Sequence, residues 1–192
     1  MKKVILFVAM ALACASASAQ NLKFAHVNFT ELVQLMPEMD EARNQSDAAA
    51  AETQETYQAM IEEFQSKYQE YEQKRSTWTP SVLQSKEKSL QDVQQRIAEF
   101  EQSAQAELQQ LQQNLMAPIY EKAQDTITKI AKEQGVIYVI DVQSALYIND
   151  SQSIDLTPMA RKALNIPADR TLESLQAELM AKAQAQQAAQ AQ

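Results

Sequence analysis

A single glycine, Gly135, in 192 residues leaves this chain almost no position at which a left-handed tight turn comes without steric cost. Residues 37–130 are instead filled with Gln, Glu, Ala, Leu and Lys, the composition of long helices. From Met39 to Trp78 apolar or small residues recur in steps of three and four averaging about 3.5, the seam of a coiled coil. A second seam runs from Leu83 to Ile130 and stops before Gly135, which suits a left-handed helix cap. Between the seams, Thr79 fits an N-cap and Pro80 a first helical residue, so the chain is expected to reverse near 76–81. Two helices of about 40 to 50 residues, rising 1.5 Å per residue, make an antiparallel hairpin on the order of 60 Å long. Such a hairpin buries one stripe per helix and has no globular core of its own.

The segments flanking the hairpin are different in kind. Leu22 to Val27 alternates like a strand, and Thr30 can cap a short helix through Met36 before Pro37 opens the long one. After Gly135, Val136 to Ile140 is a β-branched and aromatic run suited to a strand buried on both faces, and Ala145 to Ile148 reads as another. Phe24, Val27, Val136, Tyr138, Val139, Ile140, Leu146 and Tyr147 are therefore the candidates for a small β body. Three short strands are too few for one chain to bury, and self-association would supply what is missing. Thr157-Pro158 fits the start of a short helix through Leu164, and Leu172, Leu175 and Leu179 mark a turn or two more. From Ala181 the tail is Ala and Gln with one Lys, and is expected to fray or remain disordered. The fold class expected is α+β, mostly α. Its parts are a leader (1–19), a discontinuous β/α body (20–36 with 131–166), the hairpin (37–130) and a helical or disordered Ala/Gln-rich tail (167–192).

The leader has the pattern of a secretory signal: Lys2 and Lys3, an apolar run Val4 to Ala13, then Ala17-Ser18-Ala19 before Gln20, with cleavage expected between Ala19 and Gln20. The apolar run is about half the roughly 20 residues needed to cross a bilayer, and no later segment is apolar enough, so stable membrane insertion is not expected. Acylation of Cys14 is a competing reading that the small-residue cleavage site disfavours. Function is thus expected outside the inner membrane, where ATP is normally absent. Loss of the leader removes the only cysteine and two lysines from a chain that already has 25 acidic against 17 basic side chains. Disulfides are excluded. Nucleic acid is disfavoured because a binder must neutralise phosphates with clustered Lys and Arg.

Enzyme readings fail on inventory. One glycine cannot build a phosphate loop or dinucleotide fingerprint, and a mature chain with only His26 and no cysteine lacks nucleophile–base pairs and metal ligand sets. His26 reads as a sheet residue. Acidic pairs such as Glu62-Glu63 suit a solvated helix face, and Asn149 to Asp155 lacks the glycine and terminal Glu of a calcium loop. No cofactor is expected.

Taken in order, the signal, Phe24-Ala25-His26-Val27-Asn28, the paired long helices with Pro118-Ile119 near the base of the return helix, Tyr138-Val139-Ile140-Asp141, Tyr147-Ile148-Asn149 and Ile154-Asp155-Leu156-Thr157 resemble the Skp/OmpH family of periplasmic chaperones over residues 22 to about 165. The resemblance implies a homotrimer whose strands form a β-barrel body and whose three hairpins surround a cavity that holds unfolded outer-membrane β-barrel proteins. Basic side chains on the arms of that family's best-known members attract acidic clients and lipopolysaccharide. This chain is acidic and has no clustered Lys/Arg patch, so lipopolysaccharide binding is not carried over.

A holdase needs broad, soft apolar contact area, which Met and amphipathic aromatics supply. Met60, Phe64, Tyr68 and Tyr71 are candidates on the first long helix, although Phe64, Tyr68 and Tyr71 fit the packing seam better, since apolar residues at helical spacing usually are core. Met60 beside Ile61, and Met116 beside Leu115, are better client-contact candidates, since both members of each pair cannot face one narrow seam. Trp78 at the turn could meet a client or plug the end of the coiled coil. Pro118 removes one helical amide bond, which suits a hinge or a static kink. The reading from a different class is a coiled-coil spacer or scaffold of the cell envelope.

Overall fold

A computed structural model describes residues 22–190; the signal segment, with Ala19 and Gln20, lies outside the described residues. The elements run β1 (Phe24–Val27), α1 (Phe29–Leu35), α2 (Pro37–Lys74), α3 (Pro80–Gln134), β2 (Val139–Asp141), a 3₁₀ turn (Val142–Ser144), β3 (Ser153–Asp155), α4 (Thr157–Ala163) and α5 (Leu172–Gln190). The class is α+β with 76% helix and a small open sheet. The described chain divides into two compact units, Leu35–Lys122 and the segments on either side of it. The last turns of α3, from Ala123, group with those flanking segments, called the body below.

In the body, β1 is the central strand of three, with β2 and β3 on its flanks and both pairings parallel. The register sets Ala25 beside Val139 and Ile154, and His26 beside Ile140 and Asp155. Parallel neighbours cannot be joined by a two-residue turn; the entire hairpin is spliced into the connection from β1 to β2. Leu32, Leu156, Ala160 and Leu164 are wholly buried, and Ala25, Val27, Ile166 and Leu175 nearly so. At the N-terminus of α1, the Asn28 side-chain oxygen accepts the Glu31 amide at 3.1 Å. Asn28, not Thr30, is therefore the cap, and Thr30 lies inside the helix.

Gly135 ends α3 at φ 65°, with its amide donating to the Lys132 carbonyl and that of Val136 to the Ala131 carbonyl, both at 3.2 Å. That pair of bonds is a Schellman cap, which requires the left-handed residue. Asn165, at φ 57°, closes α4 in the same way, with its own amide and that of Ile166 returning to Lys162 and Arg161.

Four local expectations change. The third strand is Ser153–Asp155, not 145–148; Leu146 and Tyr147 have no strand to pair with in one chain and lie in the open at 108% and 81% exposure. The run 136–140 is not buried on both faces, because β2 is an edge strand and Ile137, Tyr138 and Ile140 all remain exposed. Thr157 is not the cap of α4: Leu156 is, while the Thr157 hydroxyl accepts the Asn28 amide at 3.0 Å and the Thr157 amide donates to Asp155 at 2.8 Å. The tail does not fray from Ala181, since α5 continues to Gln190, as the helical preference of Ala and Gln allows.

In the unit Leu35–Lys122, α2 ends at Lys74 and Thr79 supplies the first carbonyl of α3, accepting from Leu83 at 2.9 Å. Side-chain links between the helices join Lys67 to Ser89, Glu70 to Lys86, Tyr71 to Glu87, Glu63 to Arg96 and Glu38 to Lys122. As one residue number rises its partner's falls by nearly the same amount, which is the register of an antiparallel hairpin. Seam positions Met39, Ala42, Val93, Ala104 and Ile119 are buried.

Candidate binding surfaces

Within the body, a single chain leaves Ile137, Tyr138 and Ile140 uncovered on and beside β2, Leu146 and Tyr147 uncovered in the segment after it, and Leu172, Leu179 and Met180 uncovered on α5. A groove of about 630 Å³ lies between the last turns of α3 and β2, lined among others by Ile127, Ala131, Val136, Ile137, Tyr138 and Val139. Phe24 and Tyr138 pack with ring centroids 5.1 Å apart. Asp141 closes this edge by accepting the Phe29 amide at 3.4 Å and the Gln143 amide at 3.2 Å. An edge strand beside an apolar groove offers both the hydrogen bonds and the contact area that an added strand uses.

The body candidates thus divide in two. Val27 belongs to the buried core, with Phe24, Val136 and Val139 half-buried. Tyr138, Ile140, Leu146 and Tyr147 face solvent.

His26 is buried, its Nδ1 2.9 Å from the Ser153 hydroxyl and its Nε2 4.0 Å from Asp155. It ties β1 to β3. Among the described residues no cluster of His, Cys, Asp and Glu is placed to hold a metal, and no helix is long and apolar enough to cross a membrane.

In the hairpin the aromatic candidates form two pairs. Phe64 and Tyr68 stack at 6.0 Å, with Tyr68 49% exposed. Tyr71 and Trp78 meet at 6.1 Å, and the Lys86 ammonium sits 5.4 Å from the Trp78 ring, a cation–π contact. The Tyr71 hydroxyl donates to Glu87 at 2.9 Å, and this bond to a carboxylate raises the phenol above its ordinary value. Trp78 is half-buried in that cluster, beside the turn between α2 and α3. Met60 with Ile61, and Met116 with Leu115, are all half-buried, so each pair shares the edge of the seam. Helix α3 runs through Pro118.

One structural feature went unread in the sequence. Arg161 donates to Glu31 at 2.7 Å and to the carbonyls of Pro167 at 3.0 Å and Arg170 at 2.5 Å, fastening the loop before α5 to α1. The partners are 130 residues apart, and no local spacing signals such a link.

Residues 23–164 match the family of outer membrane proteins described as OmpH-like. The chain is 29% identical over 158 residues to the chaperone protein Skp of Yersinia enterocolitica, covering 80% of this chain and 94% of that one. Its fold is similar to the crystal structure of an OmpH-like outer membrane chaperone from Caulobacter crescentus CB15, with a TM-score of 0.68, 14% identity, and coverage of 78% of this chain and 90% of that one.

Proposed function

The chain belongs to the OmpH-like family of outer membrane proteins, and on that footing we propose that it is an ATP-independent holdase of the periplasm. In this reading it is a homotrimer whose hairpins enclose unfolded outer-membrane β-barrel proteins and keep them from aggregating. The observation that carries the reading is the family match over residues 23–164, which takes in every strand and both long helices. Exposed Tyr138 and Ile140 at the edge strand β2, and exposed Leu146 and Tyr147 in the segment after it, support self-association, which would cover them. Holding a client requires no reacting group. Many weak apolar contacts suffice, and competition from folding or from the insertion machinery releases the client.

The test is to dilute a urea-denatured outer-membrane β-barrel protein into the mature chain, following light scattering while native mass spectrometry counts subunits. The expected result is a trimer alone, one client per trimer, and scattering suppressed near that ratio. A monomer that leaves scattering unchanged overturns the proposal. A stable oligomer that ignores the client favours a spacer of the cell envelope.

A further inference from the structure

Charge is segregated along the hairpin. Residues 40–66 of α2 and 92–121 of α3 carry twelve carboxylates against two cations, Arg43 and Arg96, whereas the turn end, residues 67–91, carries five Lys or Arg against three Glu. Both cations of the acidic stretch are already engaged, Arg43 with Asp40 at 2.9 Å and Arg96 with Glu63 at 2.8 Å.

Within this stretch a groove of about 390 Å³ opens between the helices. Its apolar lining is Phe100, Leu108 and Leu111 from α3 and Ala49 from α2, with Glu52 and Glu107 alongside. The run Ala48 to Ala51 accounts for the opening: in the register set by the cross-links, alanine is too small to fill the space that a Leu or Met would close opposite Leu108 and Leu111. The hydroxyls of Thr53 and Thr56, which also line the groove, donate back to the Ala49 and Glu52 carbonyls of their own helix. The Glu52 and Glu107 carboxylates make no hydrogen bond or ion pair with another side chain among the described residues. The groove therefore presents greasy contact area bordered by hydrogen-bond acceptors, with no cation to balance them.

We propose that this groove docks extended polypeptide segments that carry Lys or Arg beside a large apolar side chain, so that the chain holds cationic unfolded proteins in preference to acidic ones. The inference rests on the holdase reading and names its client class. Lys and Arg lay an apolar stem along a greasy surface while the charged head reaches a carboxylate, and Arg meets a carboxylate with two parallel bonds. An anionic lipid surface would be repelled by the same residues.

The test uses the full mature chain and two fluorescent peptides of equal length with alternating apolar residues, one bearing Lys and the other Glu at the polar positions. Anisotropy should give the Lys peptide at least about tenfold tighter binding at low salt, with the difference collapsing in about 1 M salt, where the screening length is about 3 Å. The double variant Glu52→Gln/Glu107→Gln should lose more of that preference than Glu62→Gln/Glu99→Gln, which removes the same charge away from the groove. Equal binding of the two peptides, tighter binding of the Glu peptide, or equal losses in the two variants overturns the inference. An aggregation assay with an uncharged client runs in parallel. Suppression without a preference for sign defeats only this inference; no suppression by the unaltered chain defeats the holdase reading as well.

Discussion

In the body, Leu32, Leu156 and Leu164 are wholly withdrawn from solvent, whereas in the hairpin beyond Ala42 only Val93, Ala104 and Ile119 are buried. The body concentrates its apolar residues in a small core and still leaves Leu146 and Tyr147 outside. The hairpin spreads half-buried residues along a seam and adds exposed ion pairs. A compact core loses heavily from one deletion because its neighbours cannot close the hole, while a seam distributes each loss over many contacts. The two regions should therefore respond to mutation on different scales.

The largest effect is expected in the body core. Leu32→Ala or Leu156→Ala should lower unfolding free energy by about 2–5 kcal/mol, read from denaturant midpoints by circular dichroism. Phe64→Ala, in the half-buried seam, should cost clearly less, and equal losses would break the contrast.

Next in size is Leu146→Glu or Tyr147→Glu. If these side chains are buried between copies, each is worth about 1.5–3 kcal/mol of association, so native mass spectrometry should find the oligomer dissociating at concentrations where the unaltered chain stays assembled. Helix content should be unchanged, and an unaltered oligomer would remove this edge from the assembly.

Arg161→Met should cost about 1.5–3 kcal/mol, because a charged donor shared by Glu31 and two carbonyls is lost while the acceptors remain partly buried. Hydrogen exchange should rise in residues 165–175, and α2 should be unaffected.

Arg96→Ala breaks an exposed pair and should cost only about 0.2–1 kcal/mol, shrinking further in salt.

The smallest effect is that of pH on the hairpin. Burial alone would raise the Glu38 carboxyl, but its bond to Lys122, with help from its own backbone amide and the Lys122 charge, holds it below the ordinary value of 4.5; bonds from Lys86 and Lys74 do the same for Glu70. A carboxylate depressed by folding binds protons more weakly folded than unfolded. Its stabilisation is complete above 4.5 and fades as pH falls through the lowered folded values. Thermal melts should show the hairpin weakening below the ordinary carboxylate range, and a Lys122→Met variant should flatten the part of that dependence due to Glu38.

The hairpin was legible because its signals are local. The steps of three and four, Thr79-Pro80 and Gly135 each act within a turn or two of themselves, so the reversal and the Schellman cap could be read from adjacent residues. The body was legible only in outline. Ala145 to Ile148 has the composition of a strand, but strand formation depends on a neighbour with free hydrogen-bonding groups, and in the chain β1 is already flanked by Val139–Asp141 and Ser153–Asp155. Ser153-Ile154-Asp155 is too short and polar to announce itself. Of the candidate contact residues, the pairing of Phe64 with Tyr68 follows from their spacing, whereas the clustering of Tyr71, Trp78 and Lys86 needs the reversal between them. The groove at Phe100 and Leu108 was invisible because it is a space, created where the alanines of one helix fall opposite large residues of the other.

Amino-acid order alone determined the helical hairpin, its reversal and the acidity of its middle stretch, since periodicity, caps and charge are properties of neighbouring residues. Tertiary structure alone decided which segments pair in the sheet, that Arg161 fastens Glu31 and the loop before α5, and where the hairpin seam stays unfilled. Those features depend on groups brought together across as many as 130 residues, where each contact exists only after the rest of the chain has taken its place.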